Sequence, residues 1–337
     1  MLSRRSFLAA GAAGMTLPLL GGCGASSLST PDILLTATDV HVADYPTVTA
    51  VRWLGETLAR ESGGRLGLRQ YHSGQLGRES EAIDMARLGA IDITRVYAGA
   101  LNNAFPLTRA LCLPYMFESV AHMRHALDNG VAETVLRGFA ARDLVGLAIY
   151  DSGPRCFYNT RRPIVHPSDL RGMKLRVANS DIFIEMMRLF GANPTPMSLG
   201  DTFSGMETHM IDGAENNLRS FHSSRHFEAA HYWSRSEHSW APDVLLMSRR
   251  RFEALSPGDR DLLLETARQS VQVMRQAWDA SEAQARQALI DHGIAFNEVD
   301  REAFEQAAQP LLAHYLQDPA VADLHDRIRA MAQGQAT

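Results

Sequence analysis

Lysine is nearly missing from this chain of 337 residues: Lys174 is the only one, and every other of the 33 basic side chains is an arginine. Cysteine is scarce as well, with three copies. That excludes a disulfide-rich scaffold, and no pair stands at zinc-ligand spacing. No stretch approaches the roughly 18 apolar residues of a membrane span. There is no basic excess, since the net charge is −5, which argues against a nucleic-acid partner held by bulk electrostatics. The strand-turn-helix serine elbow, the P-loop, the G-x-G-x-x-G fingerprint and H-E-x-x-H are all absent, so no cofactor is expected. His222, His226 and His231 in FHSSRHFEAAH are the nearest approach to a metal site, but no carboxylate stands where a third ligand is needed. His122 and His125 carry the same weakness, and no metal is expected.

The first 22 residues, MLSRRSFLAAGAAGMTLPLLGG, contain no acid. Ser3-Arg4-Arg5-Ser6-Phe7-Leu8 resembles a twin-arginine export motif, and the apolar run behind it is too short to span a membrane. Leu20-Gly21-Gly22-Cys23 resembles a lipobox. Residues 1–22 are therefore expected to be a signal that ends either in simple cleavage or in lipidation of Cys23, with 23–32 as a polar tether. Losing Arg4 and Arg5 shifts the net charge from −5 to −7. Export implies the periplasm, an oxidising compartment in which Cys112 and Cys156 either pair or stay as buried apolar thiols.

With 45% hydrophobic residues the rest can bury a sizeable core, and its length suggests two domains. ILLTATD reads as a buried strand, Pro46 opens a helix, 66–71 and 91–97 read as strands, and 79–88 as the helix between them. This β-α-β-α-β order predicts a mostly parallel sheet flanked by helices. Helical segments over 118–141 lead to a strand at 144–150. A second β-α-β series starts at 173–178, continues through a helix at 180–190, and meets a loop, GANPTPMS, broken by two prolines. DVLLMS at 243–248 reads as a strand returning to the first lobe. From Gly258 to His292 no proline or glycine interrupts a helical pattern until Gly293. At about 1.5 Å per residue that helix is roughly 50 Å long, enough to bridge two lobes; the alternative is two helices with an unmarked break. The expected division is 33–151 plus 239–280 for lobe one and 152–238 plus 281–330 for lobe two.

In open α/β sheets, ligands bind beyond the carboxyl ends of strands. Polar residues gather there. Asp39 and His41 follow the first strand, Arg95 and Tyr97 close the third, and Arg155 follows the strand at 144–150. Arg176 lies late in GMKLRV, and Glu215, Asn216 and Asn217 follow Ile211. In GMKLRV, Met173, Leu175 and Val177 alternate with Lys174 and Arg176. The two cations mark either a solvated edge strand or a strand lining a cleft that holds an anion.

SGQLGRESEAIDMARLGAIDI (73–93), LPYMF (113–117), DLRGMKLRV (169–177), FGANPTPMS (190–198), IDGAENN (211–217) and LSPGDRDLL (255–263) occur in that order. The chain thereby resembles the DctP-type substrate-binding proteins of tripartite ATP-independent periplasmic (TRAP) transporters, over roughly 33–315. The resemblance implies two α/β lobes joined by hinge strands and crossed by a long helix. A small carboxylate is bound between them and delivered to the membrane subunits of a TRAP permease. It implies no catalysis, and no membrane contact beyond a lipid on Cys23. It assigns carboxylate clamping to Arg176, a second arginine to Arg155 and a ligand asparagine to Asn216. Lys174, earlier on the strand, is expected at the lobe surface or in a contact between lobes. Arg95, His41, Asp44, Tyr45 and Glu79 are expected to face the ligand from lobe one, with Tyr97 and Glu215 nearby. That polar set suits a hydroxyl-rich monoacid such as a hexuronate or aldonate. The alternatives are a C4-dicarboxylate or 2-oxo acid with Arg95 as second clamp, and, more remotely, an exported enzyme acting on a carboxylate. Closure is expected about 150–153 and 238–243, with the long helix broken near Arg275 to Ser281.

Overall fold

The computed structural model describes residues 31–333; the export signal, Cys23 and most of the tether lie outside the described residues. Eleven strands follow in chain order among them: β1 (Ile33–Thr38), β2 (Leu66–Tyr71), β3 (Ile93–Tyr97), β4 (Leu144–Tyr150), β5 (Arg155–Asn159), β6 (Lys174–Val177), β7 (Asn193–Pro196), β8 (Gly213–Asn216), β9 (Tyr232–Ser239), β10 (Asp243–Ser248) and β11 (Ala295–Glu298). They form two sheets, ordered β2-β1-β3-β10-β4 and β11-β9-β5-β8-β6-β7. In the first, β1 lies parallel to β2 and β3, and β10 slots antiparallel between β3 and β4. Every residue of β10 is buried. Helices on both faces explain why its centre, Val244 to Met247, is an unbroken apolar run rather than an alternation. The chain crosses from the first sheet to the second between β4 and β5, and back between β9 and β10, giving two lobes flanked by helices.

The helix Pro257–Asp291 packs on the helix Pro46–Glu61 and β4 in one lobe and on the helix Leu218–Ser223 in the other. Its start is set by Pro257 at the first position and by Ser256, whose Oγ accepts the Asp259 amide at 3.2 Å. The expected break near Arg275 to Ser281 does not occur; the helix is continuous. That segment is pinned instead. Arg275 Nε donates to Asp151 Oδ1 at 2.6 Å, and its terminal nitrogens hold Asp128 at 2.8 and 2.9 Å. Arg124 donates to the other Asp151 oxygen at 2.7 Å and pairs with Asp279 at 2.7 Å. Asp151, on the crossover between the sheets, is thus tied to the middle of an unbroken helix.

GANPTPMS is not a loop: Asn193–Pro196 forms β7, parallel to β6 at the edge of its sheet. An edge is where proline's missing donor costs least. β9 escaped detection because its buried positions are largely polar, and β11, four residues at the sheet edge, because it has no buried position at all. Ser234, Ser236 and His238 are buried in β9; Ser234 Oγ accepts the Ile164 amide at 2.9 Å and donates to Asn297 at 2.8 Å. The third strand starts at Ile93 rather than Ile91, since the Asp92 carboxylate turns to accept the Thr36 amide at 2.7 Å. Gly213 is required where β8 meets β5, because a Cβ there would lie 2.2 Å from the Tyr158 carbonyl oxygen. Cys112 and Cys156 are free and buried, and burial pushes both thiols up to about 12. No helix of the described residues is long and apolar enough to cross a membrane.

Candidate ligand-binding site

Between the lobes lies a small, polar cavity. His41, Tyr45, Glu79, Arg95, Tyr97 and Asp243 line it from the first lobe. Arg155, Arg176, Ala178, Leu199, Asn216, Asn217 and Ser220 line it from the second, with Ser152 and Ala241 at the crossovers. The lobes touch around it. Tyr45 Oη and Ser220 Oγ are 2.8 Å apart, Asn102 donates to Ser180 Oγ at 3.1 Å, and Arg78 pairs with Asp201 at 3.2 Å.

Three buried arginines line this cavity, and their partners separate them. Arg95, 1% exposed, donates Nε to Asp39 at 3.0 Å and Nη1 to Glu79 at 2.9 Å and Asp243 at 3.1 Å; its Nη2 holds the other Asp39 oxygen. Arg155 is paired with Glu215 through Nε at 2.5 Å and Nη2 at 3.0 Å, and gives Nη1 to Asn216 Oδ1 at 3.0 Å. Its guanidinium lies 4.6 Å from the Tyr97 ring centroid. Arg176, 3% exposed, has one protein acceptor among the described residues: Nε donates to the Met197 carbonyl at 2.9 Å. Its two terminal nitrogens have none, and no carboxylate stands in ion-pair range. Burial lowers its pKa, only partly opposed by Tyr158 and Glu215. It is the only buried arginine among the described residues without a carboxylate partner, since Arg219 and Arg275 pair with Asp44 and with Asp128 and Asp151.

The other groups settle their charge through the same arrangement. Burial works to raise Glu215, but Arg155 and His238 pull it down to about 2. His41 stacks on Tyr45, ring centroids 3.7 Å apart. Burial, with Arg95 nearby, lowers it to about 3, so it is neutral and offers one ring N–H and one acceptor. Burial raises Asp243 to about 7 against the pull of Arg95, with Glu79 and Asp39 adding to the rise. The Tyr97 hydroxyl is buried without a partner. Glu79 is placed by the start of the helix Glu79–Leu88, where a first-turn carboxylate suits the helix dipole; it accepts the Tyr97 amide at 3.1 Å as well as Arg95.

Eight of the ten expected ligand-facing residues line the cavity: Arg176, Arg155, Asn216, Arg95, Glu79, His41, Tyr45 and Tyr97. Asp44 does not. Its side chain is 79% exposed and pairs with Arg219 of the other lobe at 3.2 Å. Glu215 does not either: it is wholly buried behind Arg155. Arg95, the second clamp that the dicarboxylate or 2-oxo acid alternative required, is already held by three acids. Lys174 is exposed, its Nζ near the His209 carbonyl at 3.3 Å. Asp243 went unrecognised as a cavity residue, although an acid opening an otherwise apolar, buried strand is a visible signal. His226 is buried with Nδ1 2.7 Å from the Tyr158 hydroxyl.

Two α/β lobes closing on a buried, arginine-lined cavity define the class of periplasmic binding proteins. The family model described as "Bacterial extracellular solute-binding protein, family 7" matches residues 38–318. The chain belongs to this family, the DctP-type substrate-binding proteins of TRAP transporters. A TRAP periplasmic solute-binding protein from Xanthobacter autotrophicus PY2, solved with bound β-D-galacturonate, is 42% identical with a TM-score of 0.86, covering 88% of this chain and 99% of its own. One from Roseobacter denitrificans, solved with bound β-D-glucuronate, is 34% identical with a TM-score of 0.85 and the same coverage. A solute-binding protein from Chromohalobacter salexigens is 33% identical over 83% of this chain and 84% of its own length.

Proposed function

We propose that this protein captures a hexuronate in the interlobe cavity and delivers it, chemically unchanged, to the membrane subunits of a TRAP permease. The observation that carries the reading is Arg176: a buried arginine whose two terminal nitrogens have no protein acceptor. Its planar fork suits one carboxylate through two parallel hydrogen bonds. The galacturonate and glucuronate held by the similar structures are monoacids of this kind. A C4-dicarboxylate is disfavoured because Arg95, its required second clamp, is already occupied. The neutral His41, the free Tyr97 hydroxyl, Asn216, Glu79 and Asp243 supply donors and acceptors for ring hydroxyls.

The test is a thermal-shift panel of uronates, aldonates, dicarboxylates and 2-oxo acids, since a ligand that binds only the folded state raises its melting temperature. The largest rise is expected with galacturonate or glucuronate. A best response to succinate, malate or pyruvate overturns the hexuronate assignment, and a modified acid recovered after incubation overturns simple binding. We place the protein in the periplasm, exported by the twin-arginine-type signal and anchored through Cys23. A Cys23→Ser variant that still fractionates with membranes removes the anchor.

A further inference from the structure

The first-lobe wall of the cavity carries more negative charge than its arginine offsets. Three carboxylates, Asp39, Glu79 and Asp243, meet the single guanidinium of Arg95. Asp39 sits behind it, held by the Thr47 hydroxyl at 2.8 Å and the His41 amide at 2.9 Å, and does not line the cavity. Glu79 and Asp243 do. Independently, Arg176 lines the same cavity from the second lobe with unpartnered terminal nitrogens. The cavity thus presents a free cation on one lobe and surplus carboxylate on the other.

We infer that Glu79 and Asp243 determine specificity: they accept hydroxyl protons from the sugar and turn away a second carboxylate, so that the cleft separates a uronate from the corresponding aldarate. The inference rests on the hexuronate reading above. An aldarate carries carboxylates at both ends of its chain, both ionised at neutral pH. With one on Arg176, the other would face Glu79 and Asp243 in a closed space where like charges repel strongly. Arg95 cannot turn to meet it, because Nε and both terminal nitrogens already donate to acids. A hydroxyl at the same place donates to those acids instead. Burial, with Glu79 and Asp39 beside it, raises the Asp243 carboxyl to about 7 against the pull of Arg95, which softens the repulsion without removing it.

The experiment is titration calorimetry of the mature protein with D-galacturonate and galactarate, at one pH and salt concentration, for wild type, Glu79→Gln and Asp243→Asn. Like-charge juxtaposition of this kind should make wild type prefer galacturonate by at least about a hundredfold. In each variant the ratio of the two affinities should fall tenfold or more. Should Asp243→Asn fail to fold, being in a buried strand, Glu79→Gln at the start of its helix decides the matter alone. A smaller fall in a folded variant overturns the inference. So does wild type binding both acids equally, which leaves the hexuronate reading intact. Wild type that binds no hexuronate refutes that reading, and this inference with it.

Discussion

Replacing Arg176 with alanine should produce two effects of unlike sign. Affinity should collapse. Truncating one partner of a buried, hydrogen-bonded charge pair costs roughly 2–5 kcal/mol, and at about 1.4 kcal/mol per decade this is about 30-fold to 4,000-fold in Kd. The upper part of that range is expected here, because no neighbour can substitute. Arg155 is held by Glu215 and Asn216, and Arg95 by Asp39, Glu79 and Asp243. The free protein, by contrast, should lose no stability. Burial disfavours the Arg176 charge and no acid in ion-pair range offsets it. Its removal relieves a desolvation cost instead of stranding a counter-charge. The assays are titration calorimetry with the best hexuronate and thermal melts without ligand. Affinity within threefold of wild type removes Arg176 from the site, and a ligand-free melting temperature well below wild type refutes the account of an unpaired charge.

Glu215→Gln should behave in the opposite way, leaving Arg155 buried and uncompensated at a cost of about 3–5 kcal/mol, read as a lower urea midpoint. Since Glu215 is held at about 2 in the fold, below the usual glutamate value of about 4.3, its stabilising effect is complete above the latter and lost as pH falls through the former. The gap between variant and wild type should therefore close on acidification over that interval, and a gap independent of pH argues against the pair. Cys112 and Cys156 should resist maleimide in the native protein and both label in guanidinium; peptides joined by a disulfide refute their free state. Solution scattering should give a smaller radius of gyration with saturating hexuronate than without, as hinge closure requires; an unchanged radius with binding confirmed means that the cleft does not close.

Much of the architecture was legible because it follows from local periodicity. The strands at 144–150 and 243–248 and the helix at 79–88 have the expected bounds. The uninterrupted pattern from Gly258 predicted a single long helix, and the mistake was to demand a break in it. A straight rod packed on both lobes would resist their rotation, which is why closure calls for a break in it. The structure instead ties its middle to the crossover residue Asp151 through Arg275, and through Asp279 and Arg124, a contact set spanning 124 and 155 residues of sequence. β9 was illegible for a different reason: its burial is satisfied by hydroxyls and an imidazole, which carry no apolar signature.

The roles of the arginines show where sequence reading stops. Strand parity puts Lys174 and Arg176 on one face of β6, and position along the strand separates them, the first exposed and the second buried. Parity says nothing about which acid meets which base. The acids around Arg95 lie 56, 16 and 148 residues away, and the acid that holds Arg155 lies 60 away. These separations are bridged by strand order and by the crossovers, not by any local pattern. The family resemblance singles out Arg176, but nothing in the local pattern separates the three arginines; in the structure two of them are neutralised from inside the protein. In a closed cavity the attraction between an arginine and a ligand carboxylate depends less on the arginine being there than on no internal acid having reached it first. On the function proposed above, the anion-binding position is the arginine left over once every buried acid has been assigned its base, and among the cavity arginines that is Arg176.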